Sequence, residues 1–428
     1  MKRPLTHNIR RLGLALAAAA GLAAPALAQT VRLQASGDPA ELAGFRDLIT
    51  AFKTVEPGIQ VEFIPVGKAR DHMAKLTTGF AAGDPPDLFL INFRRFGQFA
   101  SRGVLEPLGP ALGSRGKFKE ADYYEQAMEA FRENGTLTCV PLNISSLVVY
   151  YNVALFKEAN LAPPKADWTW GDFLSAARTL TRDTNGDGKT DIYGLGLEPA
   201  MIRAAPFVWQ AGGEVVDDLR NPTRFTLDTP AARDALEFIR SWTINKVVPT
   251  QAENRSEDPE TRFARGGLGM LLNSRRATPT LRAVQGLDWD VAPLPRHTSA
   301  ATVLHSDAYC LSKASKSKDA ALRFLEFALG ETGAAISARS GRTVPSLKKV
   351  AQGPDFLDPK ARPRSAQVFL DSIPLIRRTP NTATWNEIES RVDPLVEGWF
   401  YSARPPLVPL NQDLNEASQG LLARPSKP

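Results

Sequence analysis

The stretch GDPPDLFLINFRRFGQF, residues 83–99, decides how the chain is read. Gly83, Asp84 and two prolines form a turn, and Leu88 to Ile91 is wholly apolar, as a strand covered on both faces must be. That strand then runs into Asn92, Phe93, Arg94 and Arg95, side chains that hydrogen-bond, stack or carry charge. In an open α/β sheet ligands bind outside the carboxyl ends of the strands, which makes these four residues candidate ligand contacts. The plainer alternative is a solvated loop leading into the helix FGQFASRG.

Outward from this stretch the pattern is strand, helix, strand, helix, strand. TVRLQAS opens it and ends at Ser36, Gly37 and Asp38, a second set of strand-end residues. Leu42, Phe45, Ile49 and Phe52 share one helical face until Pro57 and Gly58 stop the helix. IQVEFIPV alternates like a strand, and Met73, Leu76 and Phe80 mark a second helix. Strands separated by helices of this length form a parallel sheet through right-handed crossovers. Further on, Thr169 with Asp172 suits a capping box, Thr229 with Pro230 a helix start, and Gly330 a helix stop. The 428 residues, 43% hydrophobic, are expected to form two α/β lobes rather than one large sheet.

The first 28 residues read as a secretory signal: Lys2, Arg3, Arg10 and Arg11, an apolar run from Leu12 to Leu22, and small residues at Ala26 and Ala28. Cleavage is expected after Ala28, and with no Cys following the cut a lipid anchor is not expected. The apolar core is shorter than the ~20 residues a membrane helix needs. The formal charge is +6, but the signal carries four of the 52 basic residues and none of the 46 acidic ones, which leaves +2. Such a surface gives no case for nucleic acid. Cys139 and Cys310 are the only cysteines, and an even count in an oxidising compartment permits either a disulfide or two buried thiols.

Six segments in order, AFKTVEPGIQVEF, KLTTGFAAGDPPDLFLI, FGQFASRGVLEPL, VVYYNVALFKEANLAPPKADWTWGDF, GGLGMLLNS and KSKDAALRFLEFA, resemble the extracellular solute-binding proteins of ABC importers. The similarity is to the cluster that contains maltose-binding and glycerol-phosphate-binding proteins. It implies a type II-like periplasmic-binding-protein fold whose two discontinuous lobes, joined by hinge strands, close over a solute. On this chain it puts lobe one at residues 29–140 and 305–350, and lobe two at 141–304 and 351–428. It also brings the strands carrying Cys139 and Cys310 together, which favours the disulfide.

The resemblance implies a site as well. Asp38 and Glu41, Asn92, Phe93, Arg94 and Arg95, and Ser145 stand where family members contact ligand. Trp385 matches a stacking tryptophan of maltose-binding proteins, Trp209 lies in a segment that lines the second lobe's wall, and Asn273, Arg275 and Arg276 follow a strand where the family often places an aromatic. Aromatic plates and planar polar groups suit a sugar's flat C–H faces and hydroxyl rim. Arg94, Arg95, Arg275, Arg276 and Arg342 together point to the alternative of an anionic solute, a uronate or a glycerol phosphate, unless Asp38, Glu41, Asp307 or Glu387 pair with them. Trp170, Trp242 and Trp289 read as core residues.

Asp183, Asn185, Asp187 and Asp191 take positions 1, 3, 5 and 9 of a calcium loop, with Gly188 at the turn, but Gly194 stands where a bidentate Glu belongs. The expectation is a candidate structural calcium and no other cofactor; the alternative is an Asx-rich turn. His72, His297 and His305 have no metal-ligand spacing, and neither H-E-x-x-H nor G-x-S-x-G occurs. The reading is therefore a periplasmic, monomeric binding component, not an enzyme, that hands a carbohydrate to the membrane permease of an ABC importer. A carbohydrate-active enzyme using two distant carboxylates is the minor alternative.

Overall fold

The computed structural model describes Met1, residues 29–402 and residues 407–422. The signal segment therefore lies outside the described residues. The chain begins β1 (Gln29–Ser36), α1 (Pro39–Val55), β2 (Ile59–Val66), α2 (Ala69–Ala81), β3 (Leu88–Asn92) and α3 (Phe93–Ala100). Asn92 closes the strand and caps the helix, so Phe93, Arg94 and Arg95 are the first helical turn rather than a loop. Gly83 needs its glycine, having φ +74. Gly97 needs it for space, because a Cβ there would lie 1.9 Å from the Asn381 carbonyl oxygen.

After β4 (Leu105–Glu106) and β5 (Val140–Pro141) the chain leaves the first sheet through β6 (Ser145–Ser146). It continues with β7 (Val148–Asn152), α4 (Trp170–Leu180), β8 (Tyr193–Gly196), α5 (Met201–Gln210), α6 (Pro230–Ile244), β9 (Leu268–Asn273) and β10 (Trp289–Ala292). It returns through β11 (Thr302–His305) into β12 (Asp307–Ser312), followed by α7 (Lys318–Leu329), β13 (Ile376–Arg377) and α8 (Trp385–Tyr401).

The first sheet has strand order β2-β1-β3-β12-β4, with β5 also on β12. β12 runs antiparallel to its neighbours while β1, β2 and β3 are parallel. The second sheet has order β8-β9-β7-β10, again with one antiparallel strand, β7. A small third sheet, β13-β11-β6, is made of the strands by which the chain crosses between the two. This is a two-lobed, type II-like binding-protein fold with each sheet assembled from distant segments.

Apolar patterning accounts for both cores. Leu42, Phe45, Leu48 and Phe52 of α1 are buried, and Phe45, Leu48 and Phe52 share one core with Val31, Leu33 and Ala35 of β1, which have no exposed surface. In the second core Phe173 and Trp242 meet with ring centroids 5.7 Å apart, and Phe207 meets Trp242 at 5.1 Å. Trp170, Trp242 and Trp289 are buried, as their positions predict. Cys139 and Cys310 form a disulfide that fixes the residue before β5 to the middle of β12 across a separation of 171 residues.

Candidate functional site

Two sheets whose parallel strands end towards a shared gap bring four strand ends together: those of β1, β3, β8 and β9. On the first lobe, Asp38 caps α1 through the Glu41 amide at 2.9 Å. Arg342 grips both acids, donating to Asp38 Oδ2 at 2.7 Å and standing 2.6 Å from Glu41 Oε2. Burial pushes the Glu41 carboxyl up to about 7, although Arg342 pulls the other way. Asn92 donates to Asp307 Oδ1 at 3.0 Å and to the Ser306 carbonyl at 3.2 Å.

Arg94 reaches across to α8, where its Nη1 donates to both Glu389 oxygens at 3.0 and 3.1 Å. Trp385 Nε1 donates to the same carboxylate at 3.1 Å. This ion pair connects helices that follow from different sheets. Arg95 is half-buried beside Arg94, and burial lowers its pKa.

The second lobe presents a looser arrangement. Glu198, just past β8, is more than half exposed and stands between Arg203 at 3.7 Å and Arg276 at 3.6 Å, both beyond hydrogen-bond length. Arg203 is almost fully buried and its Nη1 lies 3.1 Å from His305 Nε2. Burial lowers Arg203 to about 10, and burial with the charges of Arg203, Arg94 and Arg276 keeps His305 well below its ordinary value. The imidazole is thus neutral and accepts from Arg203. Arg276 also lies 3.8 Å from Glu260, which accepts from Asn273 Nδ2 at 3.1 Å.

Five expected contacts are placed elsewhere by packing. Phe93 and Trp385 have no exposed surface and belong to the two cores, so neither offers a face to a solute. Arg275 is 1% exposed; its guanidinium lies 4.3 Å from the Phe356 ring centroid and 5.1 Å from that of Phe369, away from the gap. Ser145 is buried and its hydroxyl accepts from the Arg275 amide at 3.4 Å. Trp209 is also buried, with Arg377 5.0 Å above its ring, and lines a different space. That space is a cavity of about 740 Å³ bounded by Glu125 and Glu129, by Glu214 to Leu219, and by Arg377 to Pro380. None of the four strand ends lines it.

The loop read as a calcium site closes on itself. Asp183 accepts from the amides of Asn185, Gly186 and Gly188, Asp187 from that of Lys189, and Asp191 from the amide and hydroxyl of Thr184. Among the described residues no three His, Cys, Asp or Glu side chains gather as a metal site requires. As arranged, these side chains serve an Asx-turn loop.

Sequence reasoning missed Glu198, Arg203, His305 and Glu389. The strand-end rule that singled out Asn92 applies equally to GLEP after β8, so Glu198 was within its reach. Arg203 and Glu389 were not, because each depends on which helix face meets the gap.

Residues 36–335 match the family model for bacterial extracellular solute-binding proteins, and the chain belongs to that family. A Brucella abortus (strain 2308) chain described as a binding protein is 25% identical over 356 residues, covering 80% of this chain and 81% of the relative. The structure is similar to the ABC substrate-binding protein Lmo0181 from Listeria monocytogenes in complex with cycloalternan, with TM-score 0.83, 25% identity, and coverage of 92% of this chain and 99% of the other. The fold is also that of the GacH receptor of Streptomyces glaucescens, at TM-score 0.79, 20% identity, and coverage of 92% and 99%. No helix among the described residues is long and apolar enough to cross a membrane.

Proposed function

We propose that this chain is the periplasmic receptor of an ABC importer, a monomer that captures a neutral carbohydrate between its lobes and presents the closed form to the membrane permease. The observation that carries the reading is the meeting of four strand ends from two sheets, with polar donors and acceptors on both sides and the Arg94–Glu389 pair reaching across. Lobes at residues 29–140 with 305–350, and 141–304 with 351–428, would turn about the crossing strands. Solute touching both lobes favours the closed state over the open one. The cycloalternan-bound relative supports a carbohydrate. The chemistry is capture: a binding protein returns its sugar unchanged after long incubation.

Arginine count alone favoured an anion, but Arg342 and Arg94 are already hydrogen-bonded to carboxylates and Arg275 is out of reach. A second reading, an anionic solute, keeps support from Arg203 and Arg276, whose carboxylate neighbour lies beyond hydrogen-bond length. A thermal-shift screen of the purified protein against maltose, maltotriose, D-glucose, D-glucuronate and sn-glycerol 3-phosphate separates the two. A sugar at ~100 times its dissociation constant stabilises the native state by about 2.7 kcal/mol. Stabilisation by a neutral sugar is expected; stabilisation by the anions alone would replace this reading with the second.

A further inference from the structure

Outside the solute gap, the cavity beside Trp209 has a charge and a shape of its own. Its volume of about 740 Å³ falls within the range of small-molecule sites. Val215, Val216 and Leu304 give it a buried apolar floor, and Leu219 on its rim is a large apolar side chain left exposed. Around that floor Glu125, Glu129, Glu214, Asp217 and Asp218 outnumber Arg377 and Arg378. The excess of carboxylate disfavours an anion, and Trp209, almost fully buried with Arg377 over its ring, offers no plate for a sugar.

Some of these acids are already engaged. Glu214 holds Arg377 with both oxygens, at 2.9 and 2.8 Å. Asp217 is consumed by the amides of Asp218, Thr223 and Arg224 and by the Thr223 hydroxyl. Glu129 Oε1 accepts from Arg132 Nε at 2.7 Å and Asp218 Oδ1 from the Arg220 and Asn221 amides, which leaves the second oxygen of each unused. The Glu125 side chain has no hydrogen bond or ion pair among the described residues. Thr379 adds a further unused group: it lines the cavity, is 1% exposed, and its hydroxyl has no hydrogen-bond partner. A buried hydroxyl in that state is costly unless something bonds to it.

The unused acceptors come from separate segments, Glu125 and Glu129 from the short helical turns at residues 125–131 and Asp218 from the loop after α5. They do not gather as a metal ion requires, so the positive charge that matches them must be spread over a larger body. Arg377 shows the contact this surface favours, a guanidinium over an aromatic ring with its N–H groups on a carboxylate. We infer that the cavity is a second ligand site, for an organic cation carrying amine or guanidinium groups on an apolar stem. Its charged ends meet Glu125, Glu129 and Asp218, its stem lies on Val215, Val216 and Leu304, and an N–H donates to the Thr379 hydroxyl. None of the strand ends of the solute gap lines this cavity, so the inference stands apart from the carbohydrate reading.

Spermidine and agmatine are the probes. Calorimetric titration at constant ionic strength, which keeps screening fixed, should show saturable binding of at least one of them with one site per chain. Glu125→Gln and Asp218→Asn test the location: both side chains are exposed, and Asn keeps an oxygen for the Arg220 and Asn221 amides. Each should bind at least about fivefold more weakly, through loss of a charge-assisted hydrogen bond. Thr379→Val should also weaken binding, and should raise the melting midpoint of the ligand-free protein by removing an unsatisfied hydroxyl. Glu62→Gln, at an exposed acid of β2 outside the cavity, should bind as the wild type does. Absence of saturable binding by both amines would overturn the site. So would an equal loss in Glu62→Gln and Glu125→Gln, which would reduce the effect to general attraction of a cation to an acidic surface.

Discussion

The two halves of the gap use the same residue types in opposite ways. On the first lobe arginine and carboxylate are closed onto one another at hydrogen-bond length, as in Arg342 with Asp38. On the second, Arg203, Glu198 and Arg276 stand in line at 3.6 to 3.7 Å without closing. Arg95 aside, what differs is unused hydrogen-bonding capacity. A saturated half can orient and stiffen; an unsaturated half can recognise.

That contrast can be broken from the saturated side first. Trp385→Ala removes a fully buried indole that also holds Glu389, and the account expects a loss of roughly 3–5 kcal/mol of stability in a denaturant titration. A fully stable variant would return Trp385 to the solute-facing surface. Glu389→Gln is milder for folding but severs a charge-assisted pair between elements of the two lobes. Such pairs contribute about 1.5–3 kcal/mol, so sugar affinity should fall about tenfold or more as the closed state loses support. Unaltered affinity would show that the pair has no part in closure.

A smaller effect concerns pH. The Glu41 carboxyl is held above its unfolded value of 4.5, at about 7, so the folded protein binds that proton more tightly than the unfolded chain does. Its contribution is complete below the unfolded pKa and is lost as pH rises through the folded one. The melting midpoint should therefore decline between about pH 5 and pH 8, and Glu41→Gln should flatten that decline. An identical slope in the variant would assign the dependence to other groups. The smallest expected effect is that of calcium: with the carboxylates of the 183–191 loop engaged by its own amides, adding calcium or a chelator should move the midpoint by less than about 1 °C.

Much of the fold was legible because it rests on periodicity. The apolar run Leu88 to Ile91, the amphipathic helix after Asp38 and the punctuation by Pro57 and Gly58 require no knowledge of distant residues. The site was legible only where a strand end is also a sequence landmark, as at Asn92 and Asn273. Pairing was not, because Glu389 is 295 residues from Arg94, and the expected partner Glu387 is instead bonded to Arg391 one helical turn along. Orientation was not legible either: Arg275 and Arg276 are adjacent in sequence, yet one is enclosed by two phenylalanine rings and the other faces the gap.

Hydrogen–deuterium exchange with and without a saturating sugar distinguishes solute held at the strand ends of both lobes from solute held in the cavity beside Trp209. Solute at the strand ends adds protection in residues 37–42, 92–95, 197–203 and 273–276. Protection confined to residues 214–219 and 376–380 would contradict it and move the site to the cavity beside Trp209.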